Sequence, residues 1–367
     1  MSDTAVFQKE TIAAAPSSAR SPSKPQPQRL DGIDTFRFLA ILAVVFSHTY
    51  AYKHNHSAVT AFLEQLSQFS VPFFLITSGY FFGKSLERGT DAGRRLGRTA
   101  GRLLFMFFFW SVAYVVVPNL VRDVSGQGLL PALAHRGFLL REWVSLHPLR
   151  FFFEGTAPHL WFVMSLILSL GVLTAAIKTK TENVLLPASG LLYLCGLLMV
   201  TYRTTPIGLP PVIDHISALR ESPVFSLVFP VIGYQLSKQE KYPAWLGTGL
   251  LALGVFLLVA EVGLLQYAYH FTKSTRYYLS TVPLGLGAFF LALAHPHWGS
   301  GTIVPSFGRM TIGVYLVHRM FVGGLLRFQG NVHPLVWDLG LDLTVYALSL
   351  AVVLLLRRKS WTARTVT

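Results

Sequence analysis

Ten predominantly apolar stretches follow one another along this 367-residue chain, at about 36–53, 66–84, 101–121, 159–177, 184–202, 223–237, 243–265, 276–295, 307–326 and 336–356. A helix needs about 20 residues to cross a hydrocarbon layer about 30 Å thick, and most of these stretches approach or reach that length. Lipid offers no partner to backbone N–H and C=O groups, so each spanning stretch has to be helical. A transmembrane β-barrel would instead alternate over about ten residues. The stretch 246–265 shows no alternation and carries one ionisable residue, Glu261. The predicted fold class is therefore an all-α integral membrane protein, a bundle of about ten transmembrane helices. Pro72 with Gly79, and Pro230 with Gly233, predict interruptions in the second and sixth stretches, to be satisfied by neighbouring helices or a polar cavity.

Charged residues are only 13% of the chain, against about a quarter in a soluble domain, too few to cover a water-facing surface. The net charge of +14 does not signal nucleic acid, because Lys and Arg sit in short loops and at the termini rather than in an aromatic-interleaved stretch. Loops of that kind mark the cytoplasmic side. Placing 84–102, 178–180, 238–241 and 357–359 inside puts both termini in the cytoplasm, as an even helix count requires. The single cysteine, Cys195, excludes disulfides and cysteine metal sites within the chain. Residues 1–30 lack the apolar core of a signal peptide and read as a disordered cytoplasmic tail rich in Ser, Pro, Ala and Lys. A transmembrane domain over 31–356 and a short basic cytoplasmic tail over 357–367 complete the expected organisation. The longest outside loop is 122–158, within which 139–153 mixes aromatics and charges as an interfacial segment would. No internal repeat is visible.

The first stretch carries the strongest chemical signal. Asp34, Arg37 and His48 are spaced so that Arg37 and His48 lie about 16 Å apart along a helix and on nearly the same face, with Asp34 one turn before Arg37. Ionisable groups inside a membrane helix usually face a polar cavity. The structural alternatives are a snorkelling Arg37, an N-capping Asp34 and a hydrogen-bonded core His48. Elsewhere, Glu261 needs a partner inside its helix, and Glu154 in the outer loop either binds or is solvated. The pairs His54/His56 and His295/His297 lack further ligands nearby, so no metal site is expected. The aromatic run 105–110 reads as lipid contact and helix packing.

The pattern D-x-x-R followed by ten mostly apolar residues and His, at 34–48, resembles the signature of acyltransferase family 3. Four further stretches resemble that family in the same order. They are V-P-F-F-L-I-T-S-G-Y-F-F at 71–82, H-L-W-F at 159–162, F-P-V-I-G-Y at 229–234 and T-I-G-V-Y-L-V-H at 311–318. Together they cover the whole membrane region.

The resemblance implies a multipass O-acyltransferase, most commonly an O-acetyltransferase, acting on a surface glycan, another carbohydrate or a small molecule. It also implies an acyl-CoA donor such as acetyl-CoA used as substrate, no bound cofactor, and residence in the bacterial inner membrane. His48 is expected to act as general base toward the acceptor hydroxyl, or to carry the acyl group as an acyl-imidazole. Arg37 would bind donor phosphate or stabilise negative charge, oriented by Asp34. The basic R-x-x-R element associated with activity fits Arg95 and Arg98, while Arg98 and Arg102 fit the position just before the third helix. Arginine suits donor phosphates because its donor fork matches their oxygens. Ser78, Trp161 and His318 are expected to line the same cavity. Some members carry a further soluble domain after the membrane part; none is expected here, leaving transfer within the bundle or to a partner acyltransferase. The competing expectations are a transporter or flippase for a sugar or lipid-linked sugar, and a structural or sensory membrane subunit that would leave Asp34, Arg37 and His48 without a role.

Overall fold

The computed structural model describes residues 30–50, 58–210, 223–239, 241–270, 277–328 and 333–367. Residues 1–29 of the expected tail, and His54 and His56, lie outside them. The described residues form helices and no strand.

In chain order the helices are α1 (Asp31–Tyr50), α2 (Ala58–Ser67), α3 (Ser70–Glu87), α4 (Ala92–Gln127), α5 (Leu129–Leu146) and α6 (Pro148–Glu154). A 3₁₀ turn, Pro158–Leu160, leads into α7 (Trp161–Lys178), which is followed by α8 (Glu182–Val200), α9 (Pro223–Ser226) and α10 (Val228–Ser237). The remainder are α11 (Trp245–Tyr269), α12 (Thr281–Ala294), α13 (Val304–Gly308), α14 (Thr311–Val317), α15 (Arg319–Leu325), α16 (Pro334–Leu356) and α17 (Ser360–Ala363). The chain is all-α, as its sequence predicts.

Among the described residues, seven spans are long and apolar enough to cross a membrane: Asp31–Tyr50, Val59–Glu87, Ala92–Val117, Pro158–Lys178, Glu182–Val200, Trp245–Tyr269 and Leu335–Leu356. The other three apolar stretches form shorter helices. In the stretch 223–237, Pro230 has no N–H for the Ser226 carbonyl, and the chain breaks at Leu227 between α9 and α10. The stretch 276–295 yields only the fourteen residues of α12, and 307–326 is divided among α13, α14 and α15.

The interruption expected with Pro72 is found just before it, where the helical run breaks at Gln68 and Phe69 between α2 and α3. Pro72 is the third residue of α3, in the first turn, where its missing N–H has no helical acceptor to lose. Gly79 further along α3 serves packing instead. A Cβ on Gly79 would lie 2.0 Å from the Pro230 carbonyl oxygen, and one on Gly233 would lie 2.0 Å from that of Ile76. The two glycine motifs are therefore the two sides of one backbone-to-backbone seam between α3 and α10, the small-residue packing that membrane helices favour.

Much of the expected outer loop is helical, as the end of α4, α5 and α6. Phe138, Leu146, Leu149 and Phe152 are exposed along it. On α4 the aromatic run divides as its sequence suggests: Phe105, Phe108 and Phe109 face outward, while Met106, Phe107 and Trp110 are buried. The basic tail returns to the bundle. Thr365 and Val366 are buried, and the Trp110 indole N–H donates to the Thr365 carbonyl at 2.8 Å.

Glu261 is satisfied within the bundle. It accepts from the Tyr202 hydroxyl and from the backbone N–H groups of Leu279 at 2.9 Å and Ser280 at 3.0 Å. A carboxylate there meets the positive N-terminal end of α12, a structural role. Glu154 is likewise buried and paired, with Arg150 at 3.1 Å.

Candidate functional site

One cavity of about 490 Å³ runs along α1, a size suited to a small-molecule substrate. α1 contributes Arg37, Ile41, Val44, Ser47 and His48, its successive inward positions. α3 runs the other way: Phe81 lies under Arg37, the guanidinium carbon 5.2 Å from the ring centroid, and Ser70 lies toward the histidine end. The remaining walls come mainly from α4, α7 and α14, with smaller contributions that include Ser67 of α2, Gly308 of α13, Tyr277 and Arg357.

The two ends differ in chemistry. Arg37, Arg95, Arg102, Arg309 and Arg357 all line the cavity. Arg37 and Arg309 are drawn together by Asp34, whose carboxylate accepts from Arg37 at 2.8 Å and lies 3.5 Å from Arg309. Gly308 makes this possible, because a Cβ there would lie 1.7 Å from the Asp34 carbonyl oxygen. A guanidinium between apolar helix walls draws its attraction for phosphate from an incompletely hydrated charge. The buried Arg95 Nε has no hydrogen-bond partner among the described residues.

His48 lies at the other end with Ser47, Ser67, Gln68, Ser70, Trp161 and Tyr277. Its Nδ1 lies 2.8 Å from the Val44 carbonyl. A carbonyl only accepts, so Nδ1 carries the hydrogen and Nε2 the lone pair, the tautomer a base or nucleophile requires.

Behind His48 stand two more imidazoles. The His318 ring centroid is 4.9 Å away and that of His159 is 6.2 Å away, with 5.2 Å between His159 and His318. Both are almost wholly buried. His318 Nδ1 lies 2.7 Å from the Tyr315 carbonyl. His318 Nε2 has no hydrogen-bond partner among the described residues, and the sole polar neighbour of the His159 ring nitrogens among them is the Leu316 backbone. Each such group costs about 1–3 kcal/mol when buried, an expense a fold rarely carries without reason.

Of the residues singled out from sequence, Arg37, His48, Ser78, Trp161, Arg95 and Arg102 line the cavity. Asp34 stands behind Arg37. Arg98 is exposed and is not part of the cavity wall. His318 is not part of it either: it packs behind His48. The sequence reading passed over Arg309, Arg357, Gln68 and Tyr277, which line the cavity, and His159. His159 opens the H-L-W-F motif, so its signal was present, but Trp161 was read as the side chain of interest. Arg357 belongs to a run of basic residues that is indistinguishable in sequence from ordinary cytoplasmic anchoring. Among the described residues, no group of three His, Cys, Asp or Glu side chains is arranged to hold a metal.

A family model described as an acyltransferase domain matches residues 30–358, nearly the whole chain. The chain belongs to acyltransferase family 3. The five ordered motifs and the long apolar helices accord with that membership. Two curated relatives, each named an amino-acid racemase from Enterococcus faecalis, are 24% identical over 173 residues and 25% identical over 176 residues. These matches cover 47% and 46% of this chain, and 22% of each relative. The chain spans about a fifth of the length of those relatives, and their racemase activity does not pass to it by the match. No solved structure matches.

Proposed function

We propose that this acyltransferase moves an acyl group, acetyl being the simplest, from acyl-CoA to a hydroxyl of a carbohydrate or surface glycan. The observation that carries the reading is the polarity of the cavity, with five arginines toward one end and His48 at the other. Acyl-CoA has the matching polarity: a phosphate-rich nucleotide, a long flexible arm and a thioester at its tip. With the phosphates among Arg37, Arg95, Arg102, Arg309 and Arg357, the arm would follow the apolar walls of Ile41, Val44, Phe74 and Leu166 toward His48.

Transfer requires removal of the hydroxyl proton, stabilisation of the developing oxyanion and positioning of both reactants. His48 Nε2 serves as general base, or accepts the acyl group and passes it on. Ser67, Gln68 and Ser70 offer hydrogen bonds, and Trp161 and Tyr277 offer ring faces; this polar and aromatic mixture suits a sugar. Arg37 lies about 16 Å from His48 along α1, too far to touch the thioester, so its proposed role is at the donor phosphates.

With the arginine end in the cytoplasm, both termini would lie there and the acceptor would be met from the far side of the inner membrane. The experiment is transfer of label from radiolabelled acetyl-CoA to a crude surface-glycan fraction by purified protein, wild type beside His48→Ala. Label in the glycan from the wild type alone is expected. An active, normally inserted His48→Ala would remove His48 from the mechanism, and failure of the wild type to bind acyl-CoA at all would favour a transporter.

A further inference from the structure

The three imidazoles come from three separate elements: His48 from α1, His159 from the turn before α7 and His318 from the junction of α14 and α15. The rings of Tyr114 and Tyr315 close over the group, with centroids 4.9 Å and 5.6 Å from His159. The Tyr114 hydroxyl donates to the Leu316 carbonyl at 2.8 Å rather than to an imidazole. Of the three, only His48 lines the cavity. His159 and His318 therefore reach the chemistry through His48 alone.

Resting on the function proposed above, we propose that His318 and His159 are positioning residues that stabilise His48 while it carries positive charge. Both routes open to His48 pass through such a state. As a base, it takes the hydroxyl proton on Nε2 while the acceptor oxygen bonds to the acyl carbon. The C–S bond then breaks and the departing thiolate takes that proton back. As a carrier, its Nε2 bonds to the acyl carbon as the C–S bond breaks. The Nε2–C bond then breaks as the acceptor oxygen bonds to carbon, and the hydroxyl proton goes to the thiolate.

In either case the imidazole ring, itself buried, is transiently cationic. His318 has its Nδ1–H committed to the Tyr315 carbonyl, so its Nε2 lone pair is available, and neutral His159 brings a second lone pair. Electron pairs fixed before the reaction need no reorganisation when the charge appears. The place that a carboxylate holds behind the histidine of a serine hydrolase, accepting from Nδ1–H, belongs here to the Val44 carbonyl; the two lone pairs would act on the ring's charge through space. Arg319, which follows His318, brings positive charge near both rings and sharpens that need.

The test pairs two substitutions at each position: His318→Phe and His159→Phe keep a ring without a lone pair, while His318→Gln and His159→Gln keep an acceptor oxygen without the ring. Transfer kinetics are measured beside thermal unfolding in detergent. The expected result is a kcat lower by about 30- to 100-fold for the Phe variants, an unchanged donor KM, and recovery of most of kcat in the Gln variants. Phe variants as active as wild type would overturn the proposal. So would equal loss in Phe and Gln variants together with lowered unfolding temperatures, which would make the rings purely structural. An inactive wild type would instead count against the acyl-transfer reading itself, whereas an active wild type, a dead His48→Ala and fully active Phe variants would count against this proposal alone.

Discussion

Asp34 and Arg309, from opposite ends of the chain, lie 3.5 Å apart because Gly308 lets α13 rest directly on the backbone of α1. The contact gathers two cavity arginines around one carboxylate. A Cβ at position 308 would collide with the Asp34 carbonyl oxygen at 1.7 Å. Gly308→Ala should therefore destabilise the bundle by about 1–3 kcal/mol, the usual range for overpacking. Gly97→Ala is the control, since a Cβ there meets nothing within 4 Å and the change improves helix propensity. Thermal unfolding in detergent distinguishes them; a Gly308→Ala protein as stable as wild type would refute the close approach.

Asp34→Asn keeps the shape of the side chain and removes the charge that holds the two guanidinium groups. Both arginines are partly exposed, 28% for Arg37 and 35% for Arg309, so the loss is modest. The donor KM should rise about three- to tenfold, where 1.4 kcal/mol corresponds to tenfold, with insertion unchanged. Steady-state kinetics over a donor series would show an effect on kcat alone if Asp34 instead acted at the reacting carbonyl.

Arg98 and Arg102 are one helical turn apart, yet only Arg102 lines the cavity. A charge-assisted hydrogen bond to phosphate is worth about 1.5–3 kcal/mol. Arg102→Gln should weaken acyl-CoA binding by about ten- to a hundredfold, while Arg98→Gln leaves it within twofold or so. Equilibrium binding of acyl-CoA measures both, and equal effects would return the two residues to simple membrane anchoring.

The Trp110 indole ties the C-terminal segment to the bundle through the Thr365 carbonyl. Trp110→Phe keeps the ring and deletes that bond, at a cost of about 1 kcal/mol. Trypsin should then cut at Arg357, Arg358 or Lys359 faster than in wild type. Unchanged cleavage would mean that the burial of Thr365 and Val366 holds the segment without the indole.

The helical class, the α1 spacing and the glycine motifs were legible in the sequence because each is local: a run of apolar residues, a repeat of 3.6, a residue without a side chain. Asp34, Arg37 and His48 could be placed on one face by arithmetic on a single helix. The lengths of α9 to α15 were less legible. Hydropathy marks 307–326 as apolar without showing that α13 ends where Gly308 meets α1, whereas Pro72 and Pro230, alike in sequence, each stand third in a helix that follows a break. The imidazoles of His159 and His318 are each ordinary inside their own motif. Only the packing of α1, α7 and α14 brings them behind His48, and nothing local in the sequence announces that meeting.

A water-accessible passage deep in a bilayer is also a hazard, since any route for substrate is a route for ions. The arginines along this cavity bear on that danger. Five fixed positive charges raise a barrier against protons and metal cations while remaining attractive to a polyphosphate. The feature proposed to select the donor would thus also help keep the membrane electrically sealed, so acyl traffic need not discharge the gradient across it.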